Sequence, residues 1–356
     1  MKSLLRLLLK SQHQRNRSGP AQTEKGMTLV ELLVGSIMAF LIITPMLGFV
    51  VDMLNTDRRE QVKSNTEQDL QAAVDFIAQD LSQAIYIYDN IDINGGTRGT
   101  VTVTPIKSQL PDFNDPNKTP ILVFWKRKQI KNAVPINSAA NSPQKPSACP
   151  TDGSGCNDTY VLSLVAYYQF KDNDPTWCQP SGVPCPTRIA RYEIRDGVKN
   201  PNSSNPNNPY YSLNDKNEYA PDGAFNPSFD ISKPTLNVTT PGIRANPEVL
   251  VNYIDHTPVP AATGNECTLA LGTPMDTTGV RPTPIPETTL RTPTPQQGSP
   301  NSFYACVDTA RNIARVTIRG NSLRRLQPDN ANYAAEKSAY FPTATVQVQG
   351  LGGLGK

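Results

Sequence analysis

Gly26, Met27 and Glu31 are the residues of this chain whose types and spacing offer chemistry. An apolar run opens at Met27 and continues to Val51 without a lysine, arginine or aspartate. Glu31 is the only ionised group inside it. A carboxylate within a bilayer costs about 2–3 kcal/mol or more near the core and less near its edge, so it needs a partner. No cation inside the run supplies one. Cleavage after Gly26 would create one: the new α-amine of Met27 lies one helical turn from Glu31, and a neighbouring copy's amine would pair equally well.

Other chemistry is thin. The chain has 2 histidines. His13 precedes the junction, and His256 sits beside a Pro-rich stretch with no nucleophile motif near it, which reads as a solvated loop residue. A phosphate-cradling glycine loop and a zinc-type HExxH are both absent from the sequence. A glycosidase pair needs two carboxylates. With 31 acidic residues to choose from, the sequence selects no pair. No cofactor is expected, and the one candidate metal is calcium. Asn90-Ile91-Asp92-Ile93-Asn94-Gly95 has oxygen ligands at alternate positions and glycine sixth, but Val101 stands where the bidentate glutamate belongs. The competing reading of that stretch is an Asn-Gly hairpin turn. Asp172-Asn173-Asp174 is a second acidic turn of the same kind.

The 6 cysteines all lie beyond the apolar run. Proximity in sequence pairs Cys149 with Cys156, Cys178 with Cys185 and Cys267 with Cys306. Six cysteines allow fifteen connectivities, so the pairing is an expectation from spacing alone. Metal ligation would need CxxC-like spacing with histidines, which the chain lacks. An even number of cysteines fits an oxidising, exported location.

These residues need elements to position them. The basic residues Lys2, Arg6, Lys10, Arg15, Arg17 and Lys25 precede the apolar run, which places that leader in the cytoplasm and exports the chain beyond Val51. Leu70, Val74, Ile77, Leu81, Ile85 and Tyr88 then recur at three or four residues, one face of a helix. Asp57, Glu60, Glu67, Asp69, Asp75 and Asp80 take other faces. One helix from Thr28 to about Tyr88 would measure about 90 Å at 1.5 Å per residue. Pro45 and Gly48 should kink or locally melt it.

Strand patterns come next, at 100–104, 121–126, 160–170, 188–194, 248–254, 314–319 and 343–349. No strand–helix alternation appears among them, so the layout predicts an α+β fold: a long helix packed on an antiparallel sheet domain. Segments 196–246 and 256–300 are Asn/Pro- and Thr/Pro-rich and read as surface insertions, the second extended or polyproline-like. Proline at 33 and glycine at 22 residues, with 18% charged residues, describe a loop-rich chain with few apolar positions. A net charge of +3 with no basic patch beyond the leader gives no nucleic-acid signal.

The Gly26–Met27 junction with Glu31 resembles the class III signal of type IV prepilins and pseudopilins. The resemblance implies cleavage after Gly26 and N-methylation of Met27 by a prepilin peptidase, with Glu31 as the assembly residue. It divides the chain into a cytoplasmic leader at 1–26, a transmembrane assembly helix at 27–54, an amphipathic stalk at 55–90 and an exported domain at 91–356. Further along, Asp57-Arg58-Arg59-Glu60-Gln61, Asp80-Leu81-Ser82-Gln83-Ala84-Ile85-Tyr86-Ile87-Tyr88-Asp89, Arg319-Gly320-Asn321-Ser322-Leu323-Arg324-Arg325 and Tyr340-Phe341-Pro342-Thr343-Ala344 resemble the cyanobacterial pseudopilins of hormogonium polysaccharide secretion. The implied partners are other pilins or pseudopilins, an inner-membrane platform and exported polysaccharide. The implied role is a building subunit supporting secretion and gliding, without catalysis. The competing readings are a minor pilin that primes or decorates a fibre and a membrane-anchored enzyme acting on polysaccharide.

Overall fold

The computed structural model describes residues 26–136, 156–200, 203–205, 209–211, 219–240, 242–243, 245–258, 264–276, 283–294 and 301–352. It divides into two compact units, 1–58 and 59–356. Helix α1, Leu29–Ser82, is 54 residues long and belongs to both. Its residues up to Arg58 are all exposed. They include a stretch long and apolar enough, by length and composition, to cross a membrane. The helix runs unbroken through Pro45 and Gly48, so the expected local melting does not occur. Ser36 Oγ and Thr44 Oγ1 donate to the carbonyls of Leu33 and Phe40 at 2.8 Å, leaving neither hydroxyl unpartnered in the apolar stretch.

In the second unit α1 leads into β1 (Ala84–Ile87), short helix α2 (Asn90–Asn94), hairpin strands β2 (Gly96–Arg98) and β3 (Val101–Val103), and long strand β4 (Lys118–Pro135). β5 (Cys156–Phe170), β6 (Thr187–Arg195) and β7 (Glu248–Ile254) complete a five-stranded sheet in the order β1-β4-β5-β6-β7. Then come α3 (Glu266–Ala270), a minimal hairpin of β8 (Met275–Asp276) and β9 (Thr283–Pro284), and α4 (Glu287–Leu290). β10 (Arg291–Thr292), β11 (Phe303–Asp308) and β12 (Ile313–Arg319) lie beyond it; α5 (Leu323–Leu326) precedes β13 (Thr343–Gln349). The second sheet has the order β10-β11-β12-β13, and every pairing in both sheets is antiparallel. The α+β expectation is met at this level.

Two cores sandwich the five-stranded sheet. On one face Leu70, Ala73, Val74, Ile77 and Leu81 of α1 pack with Leu122, Phe124, Val165 and Tyr167, and with Phe303, Val307, Val316 and Ile318 of the second sheet. The opposite face buries Val123, Trp125, Leu164, Tyr168 and Tyr192 against Tyr88, Phe225 and Val238. Successive residues of a strand point to opposite faces, so burial on both makes β5 read as a nearly continuous apolar run. β12 has one core face, Ala314, Val316 and Ile318, and alternates as its sequence predicts.

Several expectations are corrected. The helix ends at Ser82, and 84–87 form a strand instead. Ile85 and Tyr88 therefore pack with the second core and leave the helical stripe. Asp80 is buried although its spacing puts it off the stripe. Segment 196–246 is more than decoration, because Ala224, Phe225 and Val238 close the second core. Within 256–300 the chain folds into α3, α4 and β10, where an extended segment was expected.

Candidate functional site: the head of the long helix and the seat of its second half

Thr28 precedes the first helical residue, and its Oγ1 accepts from the Glu31 backbone N–H at 3.3 Å. Thr28-Leu29-Val30-Glu31 thus has the S/T-x-x-E spacing of a capping box, with glutamate in the positive first turn. That spacing is legible in the sequence, although the membrane reading of Glu31 overshadows it. The Thr28 bond holds the Glu31 N–H, one of the donors that the start of a helix leaves without an intrahelical partner. Among the described residues the Glu31 carboxylate itself has no partner, and Gly26, Met27 and Glu31 are all exposed.

The second unit holds residues 59–82 by shape and by charge. Gly320 sits where a Cβ would fall 2.9 Å from both Leu70 Cδ1 and Thr66 Cγ2. Arg325 pairs with Asp69, and Lys63 Nζ lies 4.5 Å from the centre of the Tyr340 ring. The stretches 319–325 and 340–344 thus line the seat of the helix.

Asp80 anchors the other end of the seat. Its carboxylate accepts from Lys126 Nζ at 2.6 Å, Tyr167 Oη at 2.7 Å and Arg191 Nε at 2.8 Å. Glu193 joins through Lys128 at 2.7 Å, Ser163 at 2.8 Å and Arg191 at 2.8 Å. Burial alone would raise Asp80, but the Lys126 bond and the charges of Arg191 and Lys126 outweigh it and hold it below the carboxylate range. For Glu193 burial is likewise outweighed, by the Lys128 bond and the charges of Lys126 and Arg191, and its pKa falls to about 2. Two carboxylates and three cations make a network, buried at Asp80, Lys126 and Arg191, that fixes the helix on the sheet.

The calcium candidates are otherwise occupied. Residues 90–94 form α2, capped by Asp89 Oδ1 accepting from Asp92 N at 2.9 Å; the hairpin turns later, between β2 and β3. Asp92 Oδ2 accepts from Tyr86 Oη at 2.8 Å and Asp92 Oδ1 from Arg98 at 3.2 Å, while Asp89 Oδ2 accepts from the same Arg98 nitrogen at 2.5 Å. Burial and the Asp92 charge raise the Asp89 pKa to about 6 against the pull of Arg98. In the second turn both oxygens of Asp172 accept from Arg188, at 2.5 and 2.9 Å.

Cys178 and Cys185 form a disulfide, and so do Cys267 and Cys306, which ties α3 to β11. Cys156 is disulfide-bonded at the start of β5; its expected partner Cys149 lies outside the described residues. The Cys178–Cys185 loop has a use that its spacing does not reveal. The buried Arg324 guanidinium donates to the carbonyls of Pro180 at 2.8 Å, Pro184 at 3.1 Å and Gly182 at 3.2 Å.

His256, expected as a solvated loop residue, is buried. Burial lowers its pKa and Arg324 adds to this, against Asp255 and Asn332. A cleft of about 480 Å³ opens between 108–118 and 239–243. There Asp112 accepts from Lys118 and Tyr192, each at 2.6 Å. No family model, curated protein or solved structure matches this chain.

Proposed function

We propose that this chain is a pilin-like subunit, a pseudopilin, with a building role and no catalysis. The observation that carries the reading is the Glu31 carboxylate, unpartnered among the described residues, in the first turn of an exposed apolar helix that begins just after Gly26–Met27. An anchor needs no such group, whereas a subunit that docks its helix beside another's amine does. In this reading a prepilin peptidase cuts after Gly26 and methylates Met27. The helix lies in the inner membrane, the leader faces the cytoplasm and the domain faces the periplasm. Neighbouring pilins and a membrane platform are its partners, and polysaccharide secretion for gliding is the process served.

Support also comes from the second half of the helix, which is clamped by Gly320, Arg325 and the Asp80 network. A subunit pulled by its helix must pass that force to its domain. Mass spectrometry of the mature chain tests the reading. N-methylated Met27 is expected, and Gly26→Ala should leave the leader attached. An intact leader in cells with an active prepilin peptidase would overturn it.

A further inference from the structure

Among the described residues, β13 is an edge strand with no strand paired on its outer side. Its register with β12 has no shift over seven pairs, and Thr343-Ala344-Thr345-Val346-Gln347-Val348-Gln349 holds no charge and no proline. Natural edges are usually blunted by lysine, proline, a bulge or a cover. Gly350 N donates to Asn312 O and Gly320 N to Pro342 O, so the even-numbered positions exchange bonds with β12. Bonds alternate sides along an antiparallel strand, which turns the N–H and C=O groups of Thr343, Thr345, Gln347 and Gln349 outward. Leu351 N, next in that series, does reach outward, to Ala84 O at 2.9 Å. The four before it have no backbone partner on that side among the described residues, and all four are exposed.

We propose that this edge pairs with the same edge of a second copy, antiparallel about Val346. The strand is self-complementary in that register. Thr343 would oppose Gln349 and Thr345 would oppose Gln347, each pair exchanging both of its outward bonds. Ala344 would face Val348, and the two Val346 side chains would meet on the axis. Opposed residues share a face, so apolar side chains continue the core side and Thr and Gln the wet side. No like charges oppose each other.

The pairing has a directional consequence. Thr66 and Leu70 lie against Gly320, which bonds Pro342 at the start of β13, and Ala84 lies against Gly350 at its end. Residues 66–84 therefore run alongside β13 in its own direction. The pairing sets two such segments antiparallel. This contact does not depend on the pilin reading.

The test is the oligomeric state of the full chain in detergent micelles, by light scattering over a concentration series. The wild type should dimerise. T345K/Q347K puts lysine opposite lysine and should weaken the dimer about tenfold or more. T345K/Q347E puts lysine opposite glutamate in this register and should restore it. Residue 347 also lies opposite Arg315 of β12 in the same chain, so melting temperatures taken at dilutions where each variant is monomeric measure that intramolecular difference separately from the dimer. A wild type that stays monomeric, or a dimer indifferent to both variants, would overturn the proposal. Failure of the charge swap to restore pairing would overturn the register. N-terminal processing is untouched by these variants, so their outcome is separate from that of Gly26→Ala.

Discussion

Gly320 and Leu70 are in contact through the absence of a side chain: a Cβ on Gly320 would stand 2.9 Å from Leu70 Cδ1. Thr66 Cγ2 is equally close, and Thr66 and Leu70 are both buried. A methyl there must push a packed leucine or a stiff β-branched threonine. Gly320→Ala should destabilise the domain by about 1 kcal/mol and Gly320→Val by about 2–3 kcal/mol, the range of core overpacking. Thr66→Ser removes one of the two obstructing methyls and should recover part of the Ala loss. Urea unfolding of Gly320→Ala, Thr66→Ser and the double variant checks this, and additive losses would mean that the two sites do not meet.

Removing Asp80 leaves Lys126 and Arg191 buried with Glu193 as their near carboxylate, the exposed Glu248 standing 3.9 Å from Arg191. Breaking a buried pair from one side costs about 3–5 kcal/mol, so Asp80→Asn should fall near the lower bound because the amide still accepts. Both Asp80 and Glu193 titrate below their ordinary range. For a lowered carboxylate the contribution is present above the unfolded pKa and is lost as pH falls through the folded one. Wild-type stability should therefore fall from about pH 4.5 towards pH 2, the window set by Glu193. Asp80→Asn should flatten that fall in denaturant midpoints measured across the range.

Asp89 carries the opposite sign. Its pKa is pushed up to about 6, so the folded state holds the proton more tightly than the unfolded chain. Its contribution therefore weakens as pH rises between about 4 and 6. Asn at this position keeps an acceptor for the Asp92 N–H and removes the charge that opposes Asp92. The stability of Asp89→Asn relative to wild type should therefore improve on going from pH 4 to pH 7. A difference independent of pH would mean that Asp89 ionises normally in the fold.

The parts legible in the sequence were those set by periodicity. The stripe Leu70, Val74, Ile77 and Leu81 is buried as its spacing demands, and β5, β6, β7, β12 and β13 lie where alternation or apolar runs put them. What the sequence hid was pairing over long separations. Asp80 looks like a surface residue until Lys126 and Arg191 are brought to it by two different strands. Ile85 fits a helical stripe by spacing, yet 84–87 pair with β4, and that tertiary gain overrides local period. Gly320 and Arg324 stand in a stretch singled out by resemblance alone; their physical meaning lies in Leu70 and in the Cys178–Cys185 loop, each far away in the chain. At the head of the helix the reverse holds. Thr28 and Glu31 are three apart, and the capping spacing needed no structure to be seen.

That spacing makes the Glu31 prediction sharper than a single substitution allows. Glu31 has two candidate roles: partner of an amine in assembly, and third residue of a cap begun by Thr28. Glutamine suits a capping box as well as glutamate but carries no charge. If pairing with an amine matters, Glu31→Gln should abolish incorporation into a complex as fully as Glu31→Leu, while membrane insertion and cleavage after Gly26 continue. If capping is the whole role, Glu31→Gln should assemble normally. Thr28→Ala should then be as harmful as Glu31→Leu, at about 1 kcal/mol of helix stability. Co-purification of each variant with its partner subunits from membranes, at matched abundance, separates the two roles. The expected order is wild type, then Thr28→Ala with a mild loss, then Glu31→Gln and Glu31→Leu together at the bottom. A Glu31→Gln chain that co-purifies at the wild-type level would remove the charge from the mechanism and leave Glu31 as a cap.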